Sequence, residues 1–250
     1  MPRVLAVANQ KGGVAKTTTA AALATAFAQA GRRVLLVDLD AQACLTFALG
    51  VDAEEVTTSS HDVLLGRPLA DSVVRTAEGV DLVPATIDLA GADAALMVRP
   101  GRDLALRTAL ASVADDYDDV VLDCSPSLGV LTLNALAAAD EVLVPLAAEM
   151  LSHRAVGQLL DTVEDVRRIL NPGLRVVGLL PTMVDLRTSH AREVVADLEG
   201  RYGLPVLRAV PRSVRVAEAP TRGRSVLTTS PRSAAAAAYR ELAAELLAGR

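Results

Sequence analysis

Apolar positions along this chain gather into short unbroken runs separated by helical patterns. Residues 3–8 carry Val-Leu-Ala-Val-Ala, residues 33–38 carry Val-Leu-Leu-Val, and residues 120–123 form a third run that ends on an Asp. Similar runs occupy 80–84, 142–145, 174–180 and 205–207. Continuous apolar runs, in place of strict alternation, predict strands buried on both faces of a parallel sheet. Between them, helices are predicted over 17–30 with Gly31 as C-cap, and over 102–114 and 128–139. Further helices are predicted over 152–170, closed by Asn171-Pro172-Gly173, and over 189–202 and 233–248. Strand and helix therefore alternate. The expectation is a single doubly wound α/β domain over residues 1–250, a mostly parallel sheet with helices on both faces. Residues 50–80 are the least regular stretch, and no internal repeat or dividing linker is visible.

Composition sharpens this picture. Hydrophobic residues make up 51% and aromatic residues 2%, with Trp absent, so the core must be built from Ala, Val and Leu. No apolar run reaches the roughly 20 residues a membrane span needs, and the run after Met1-Pro2-Arg3 is too short for a signal peptide. The expected location is the cytoplasm, where two cysteines, Cys44 and Cys124, stay reduced. The net charge of −5 is unevenly spread. Residues 201–250 hold nine Arg and three Glu, a +6 segment on a −11 body. Such a segment forms a patch for phosphates or an ordinary solvated surface, and composition leaves both open.

One bias is more telling. The chain has 23 Arg and 2 Lys, and both lysines, Lys11 and Lys16, lie in one loop. Lys is a compact point charge where Arg is a wide fork, a difference a tight phosphate cradle requires. That loop, Lys11-Gly12-Gly13-Val14-Ala15-Lys16-Thr17-Thr18, sits between a predicted strand and a predicted helix. In that setting successive backbone N–H groups and a helix N-terminus face an anion. Lys16 then neutralises the β/γ-phosphates and the Thr17 hydroxyl ligates Mg²⁺. A plain glycine turn is the bland reading, and the Lys-Thr ending argues against it.

The loop lacks the ordinary G-x-x-x-x-G-K-[ST] spacing but meets the looser Lys-Gly-Gly-x-x-Lys-Thr form with an additional lysine. It thereby resembles the deviant phosphate-loop ATPases of the ParA/MinD superfamily, and the likeness runs along nearly the whole chain. By that resemblance, Lys11 reaches across a nucleotide-sandwich homodimer to the partner's ATP. Val37-Asp38-Leu39-Asp40-Ala41-Gln42 resembles the family's second motif, with Asp40 orienting the attacking water and Asp38 supporting the Mg²⁺ shell. Val120-Val121-Leu122-Asp123 resembles the Walker B strand, with Asp123 holding Mg²⁺ through water. Cys124-Ser125-Pro126-Ser127 resembles the switch that follows it. Residues 181–185, including Met183 and Asp185, and residues 210–215, including Pro211, Arg212 and Ser213, resemble the two adenine-contacting segments. Ala15 stands where the family usually has Gly; its N–H is kept, and if φ there is positive Ala costs on the order of 1–2 kcal/mol.

Within the superfamily the likeness is to the short ParA/Soj chromosome- and plasmid-partition ATPases. It implies a cytoplasmic, nucleoid-associated cycle: ATP drives dimerisation, the dimer binds DNA without sequence preference, and a ParB/Spo0J-like partner stimulates hydrolysis. Arg187 and Arg215 match family positions that contact DNA, and Arg222 and Arg224 extend the patch; each is otherwise a solvated side chain. Three rivals share the loop. A MinD-like membrane ATPase needs a basic amphipathic tail, whereas residues 239–248 look like a helix docked on its own domain. An iron–sulfur reductase would use two cysteines from each chain, but Cys124 directly follows Asp123 and buried inert thiols are the simpler expectation. An amide ligase predicts acid and base residues beyond the phosphates, and His61, His153 and His190 sit in no recognisable constellation.

Overall fold

The computed structural model describes residues 2–147, 152–185, 193, 197, 198 and 200–249. In chain order the strands are β1 (Arg3–Val7), β2 (Val34–Leu39), β3 (Val74–Arg75), β4 (Asp81–Val83), β5 (Asp119–Cys124), β6 (Glu141–Ala147) and β7 (Arg175–Thr182). They form one sheet in the order β3-β4-β2-β5-β1-β6-β7. All neighbours pair in parallel except β3 with β4, an antiparallel edge. The helices are α1 (Lys16–Gln29), α2 (Cys44–Ala48), α3 (Ser60–Leu64), α4 (Ala92–Met97), α5 (Ala105–Ala111), α6 (Val130–Ala138), α7 (Ser152–Ile169), α8 (Val214–Glu218), α9 (Val226–Thr229) and α10 (Ala234–Ala248).

The apolar runs explain the two-sided sheet. Successive side chains of a strand point to opposite faces, so a run with no polar residue must be covered on both. In β1, Val4 and Ala6 enter one core cluster with Leu106, Leu110, Leu131, Leu136, Leu159 and Val163 of α5, α6 and α7. Leu5 and Val7 enter the other, with Leu23 and Phe27 of α1 and Tyr239, Leu242 and Leu246 of α10. The C-terminal helix thus spends its leucine stripe on its own domain. Among the described residues no helix is long and apolar enough to cross a membrane.

Several elements differ from expectation. The helix expected over 17–30 is α1, one residue earlier at each end. That expected over 102–114 splits into a 3₁₀ turn, Arg102–Leu104, and α5. The strand expected over 205–207 is only a bridge, Val206 to Leu179. Pro205 has no N–H to give a ladder, and the contact rests on Leu179 N–H to Pro205 O (2.8 Å) and Leu207 N–H to Leu179 O (2.9 Å). The irregular stretch 50–80 holds α3, a 3₁₀ turn and β3. Of the helix expected over 189–202, residues 193, 197, 198 and 200–202 are helical and the rest lie outside the described residues.

Candidate nucleotide-binding site

The carboxyl ends of the central strands β1, β2 and β5 carry the candidate groups, where a parallel sheet places its ligand. Asn9 starts the loop after β1. Its amide donates to Pro145 O (2.7 Å) and its side-chain oxygen accepts the Lys11 N–H (3.0 Å). At the other end, the Thr182 hydroxyl at the end of β7 lies 3.1 Å from both Val14 O and Leu146 O. Gly13 adopts φ +72° and Ala15 φ 64°, both left-handed. The first lacks a Cβ; the second bears one, so the sequence expectation about Ala15 concerns a real strain.

Helix α1 begins on Ala15 with no side-chain cap and no acidic residue in its first turn. Most helices satisfy those first N–H groups with a Ser, Thr or Asp oxygen. Here they face a cavity together with the positive end of the helix dipole, a fitting cradle for phosphate. Lys16 is buried and its ammonium donates to Lys11 O at 3.1 Å. Burial lowers its pKa, opposed by the charges of Asp123 and Asp40.

Asp123 and Asp40 act on this lysine, and a third carboxylate, Asp38, acts on Asp123. Asp123, at the penultimate position of β5, is fully buried, and neither of its oxygens has a hydrogen-bond partner of good geometry. Burial raises its pKa well above the carboxylate range, the Asp38 charge adds to this, and the Thr17 hydroxyl and Lys16 pull the other way. A bare buried carboxylate beside a hydroxyl is a hard-oxygen donor set that suits a hydrated Mg²⁺. Among the described residues no three His, Cys, Asp or Glu side chains converge to hold a metal.

Asp38, expected to support the Mg²⁺ shell, has both oxygens engaged elsewhere. Its Oδ2 accepts the Thr46 N–H (2.9 Å) and hydroxyl (2.8 Å), and its Oδ1 accepts the Asp40 N–H (3.1 Å). Burial pushes its pKa up, and the Thr46 hydrogen bonds oppose the shift. Asp40 is half-buried, and its Oδ1 accepts the Gln42 N–H at 3.0 Å.

Two cavities share the phosphate loop. One, of about 500 Å³, is lined by Gly12, Lys16, Thr17, Asp40, Pro126 and Phe47, and also by Val216, Pro220 and Arg224. The other, of about 510 Å³, is lined by Thr182, Met183, Pro211, Arg212 and Ser213, and by Tyr239. Gly13, Ala15 and Thr18 belong to both. The two segments expected to contact adenine therefore meet in one cavity beside the loop. Val184 pairs with Pro211 in a parallel bridge, with Val184 N–H to Val210 O and Arg212 N–H to Val184 O at 3.1 Å each. Met183 is left-handed (φ 54°). Asp185 is half-buried and is not among the residues lining either cavity.

The basic segment closes the first cavity. Val216, Ala219 and Pro220 face inward, and the segment meets the α2 loop backbone to backbone. A Cβ on Gly223 would lie 2.7 Å from Gly50 Cα, so this approach requires glycine. On the outside, exposed Arg215 pairs with Glu218 at 2.9 Å. Arg222 is exposed, and Arg224 donates to Ala77 O at 3.0 Å. Arg187 lies outside the described residues, as do His190 and the sequence just before α7.

The cysteines divide. Cys124 is buried as expected, but Cys44 is exposed on the cavity wall, because α2 turns its first residue outward. Burial raises the pKa of both thiols, which disfavours thiolate. Asn9 and Thr46 act by holding backbone and carry no motif signal beyond an Asn just before a glycine loop, and Thr182 was named only as part of the 181–185 adenine-contacting segment.

The family model described as an AAA domain matches residues 2–176. The chain is 49% identical over 247 residues to the chromosome-partitioning ATPase Soj of Thermus thermophilus, spanning 98% of this chain and 96% of that protein. It is 44% identical over 250 residues to the chromosome partitioning protein ParA of Caulobacter vibrioides, spanning 98% and 94%. A crystal structure described as cobyrinic acid a,c-diamide synthase from Mycobacterium smegmatis, with bound ADP and magnesium, aligns with a TM-score of 0.90 and 52% identity, covering 100% of this chain and 97% of that one.

Proposed function

The chain belongs to the Soj/ParA family of chromosome-partitioning ATPases, and from that premise we propose that it is an ATP-driven switch that positions DNA. It is an ATPase that takes ATP with Mg²⁺. The loop and the uncapped α1 N-terminus hold the phosphates, Lys16 and Lys11 stabilise the charge on the γ-phosphoryl, and the 183 and 211–213 segments hold the base. Mg²⁺, when bound near Thr17 and Asp123, neutralises phosphate charge. Asp40 orients the water that attacks the γ-phosphorus as ADP departs, so the chemistry is positioning and charge stabilisation.

The observation that carries the switch is the double use of one segment. Val216, Ala217, Ala219 and Pro220 wall the nucleotide cavities while Arg215 and Arg222 stand exposed on the same stretch. A change in nucleotide state would reach the basic surface through this one segment. The ATP form is a homodimer with Lys11 crossing to the partner's nucleotide. It binds DNA phosphates without sequence preference on the nucleoid, through Arg187, Arg215, Arg222 and Arg224, and a ParB-like protein stimulates hydrolysis.

The diamide-synthase description of the M. smegmatis structure is a second reading. A polycarboxylic tetrapyrrole would call for cations beside the phosphate site. The cavity there is walled by Ala21, Phe47, Ala48, Val216, Ala219, Pro220 and Val226, with Arg224 as its cation beyond the phosphate loop. A membrane cycle of the MinD kind would need a free tail, and α10 is packed on α1. The test is phosphate release from ATP-Mg²⁺ alone, with DNA plus a ParB-type protein, and with cobyrinic acid plus glutamine. Stimulation by DNA and the ParB-type protein supports the switch. Stimulation only by cobyrinic acid, with amide product, overturns it.

A further inference from the structure

The carboxylate assigned to water orientation sits on a loop whose own anchor is a threonine. Thr46, on α2, is fully buried and makes three hydrogen bonds to two other elements. Its N–H and hydroxyl both donate to Asp38 Oδ2 (2.9 and 2.8 Å), and its hydroxyl oxygen accepts the Ala85 N–H at 2.9 Å, just past β4. An amide only donates, so the hydroxyl proton must point at Asp38. The direction of every bond in the network is then fixed. Asp38 accepts from Thr46 on one oxygen and from the Asp40 N–H on the other (3.1 Å), and Asp40 in turn accepts the Gln42 N–H. The loop between them has its backbone bent left-handed at Ala43 (φ 50°), with Ala43 N–H bonded to Asp40 O at 2.8 Å. A bent loop of this kind holds one shape only when its surroundings over-determine it.

We propose that Thr46 is a positioning residue for ATP hydrolysis: through the Asp38 carboxylate and the Ala85 amide it fixes the 38–46 loop and so sets where the Asp40 carboxylate stands relative to the γ-phosphate. This rests on Asp40 orienting the water. Thr46 is absent from the lining of both cavities, so it acts on the reaction through Asp40 and not by contact with nucleotide.

The test compares wild type with Thr46→Val, Thr46→Ser and Asp40→Ala. It measures ATP turnover with Mg²⁺, KM, affinity for a fluorescent ATP analogue, and thermal melting. Valine keeps the shape and removes the hydroxyl; serine keeps the hydroxyl. Thr46→Val is expected to lower kcat by about 10-fold, the usual scale for loss of an outer supporting contact, with analogue affinity and KM changed by less than about twofold. Thr46→Ser returns kcat to within about threefold of wild type. If valine prevents cooperative melting, Thr46→Ala carries the same expectation. Wild-type turnover in Thr46→Val, with Asp40→Ala inactive, overturns the role of Thr46 and leaves that of Asp40. So does a parallel loss of affinity, kcat and melting temperature, which marks a purely structural residue. Wild-type turnover in Asp40→Ala overturns the underlying reading of the site.

Discussion

Ala15 offers a direct test of the phosphate loop's backbone. Its φ of 64° and ψ of 33° place a Cβ where L residues meet the following carbonyl. Replacing Ala15 with Gly relieves about 1–2 kcal/mol of that strain. The freer unfolded chain takes back roughly 0.4–1 kcal/mol. The net is a stabilisation on the order of 0.5–1 kcal/mol, which for a chain of this size raises the melting temperature by about 1–4 °C. Valine at the same position is β-branched and a true outlier there, so Ala15→Val loses about 2 kcal/mol, near 4–8 °C. The assay is a thermal melt of the three proteins with and without ATP-Mg²⁺. Because Gly keeps the backbone N–H, ATP raises the melting temperature of Ala15→Gly as much as that of wild type. Gly and Val melting together, or Gly melting below Ala, would refute a left-handed Ala15.

Three further outcomes follow from the same structure. Phe27→Ala removes a fully buried ring between α1 and the sheet and should cost about 3–5 kcal/mol in urea unfolding; a loss under about 1 kcal/mol would contradict that packing. Tyr239 is pushed up to about 12 by burial, partly offset by the Thr19 hydroxyl. A raised phenol pKa favours the neutral form, so its contribution to stability is complete below the unfolded value near 10 and lost as pH climbs through 12. Phenolate absorbance, uncluttered by Trp, should therefore rise equally in wild type and Tyr239→Phe at about pH 10.5, whereas a smaller rise in the variant would refute the burial of Tyr239. A thiol reagent should titrate Cys44 in the folded protein, slower with ATP-Mg²⁺ because Cys44 walls the nucleotide cavity, and Cys124 only after denaturation.

What was legible in the sequence depended on scale. Apolar runs announced β1, β2, β5, β6 and β7, because a strand buried on both faces leaves no polar break to mislead the reading. The phosphate loop was legible because two lysines stand out in a chain otherwise built on arginine. The adenine segments were named from motif resemblance, and the fold brings Met183, Pro211, Arg212 and Ser213 to one cavity beside Ala15. Elements of four or five residues, such as α2 and α9, were not legible, since they are too short to show a period. Nor were the hydrogen bonds of Asp38, whose engagement by Thr46 and the Asp40 amide accompanies the turn at Ala43, which no local pattern encodes. The same holds for Arg224, whose bond to Ala77 O joins positions 147 residues apart.

The measurement closest to the central claim is binding of a labelled non-specific duplex, followed by fluorescence anisotropy at low and moderate salt. It is made with ATP-Mg²⁺, with ADP and without nucleotide, for wild type and for Arg187→Glu/Arg215→Glu. Binding is expected to require ATP, to fall steeply with salt and to disappear in the double variant. Binding indifferent to nucleotide, or no binding by a protein that demonstrably holds ATP, would contradict it.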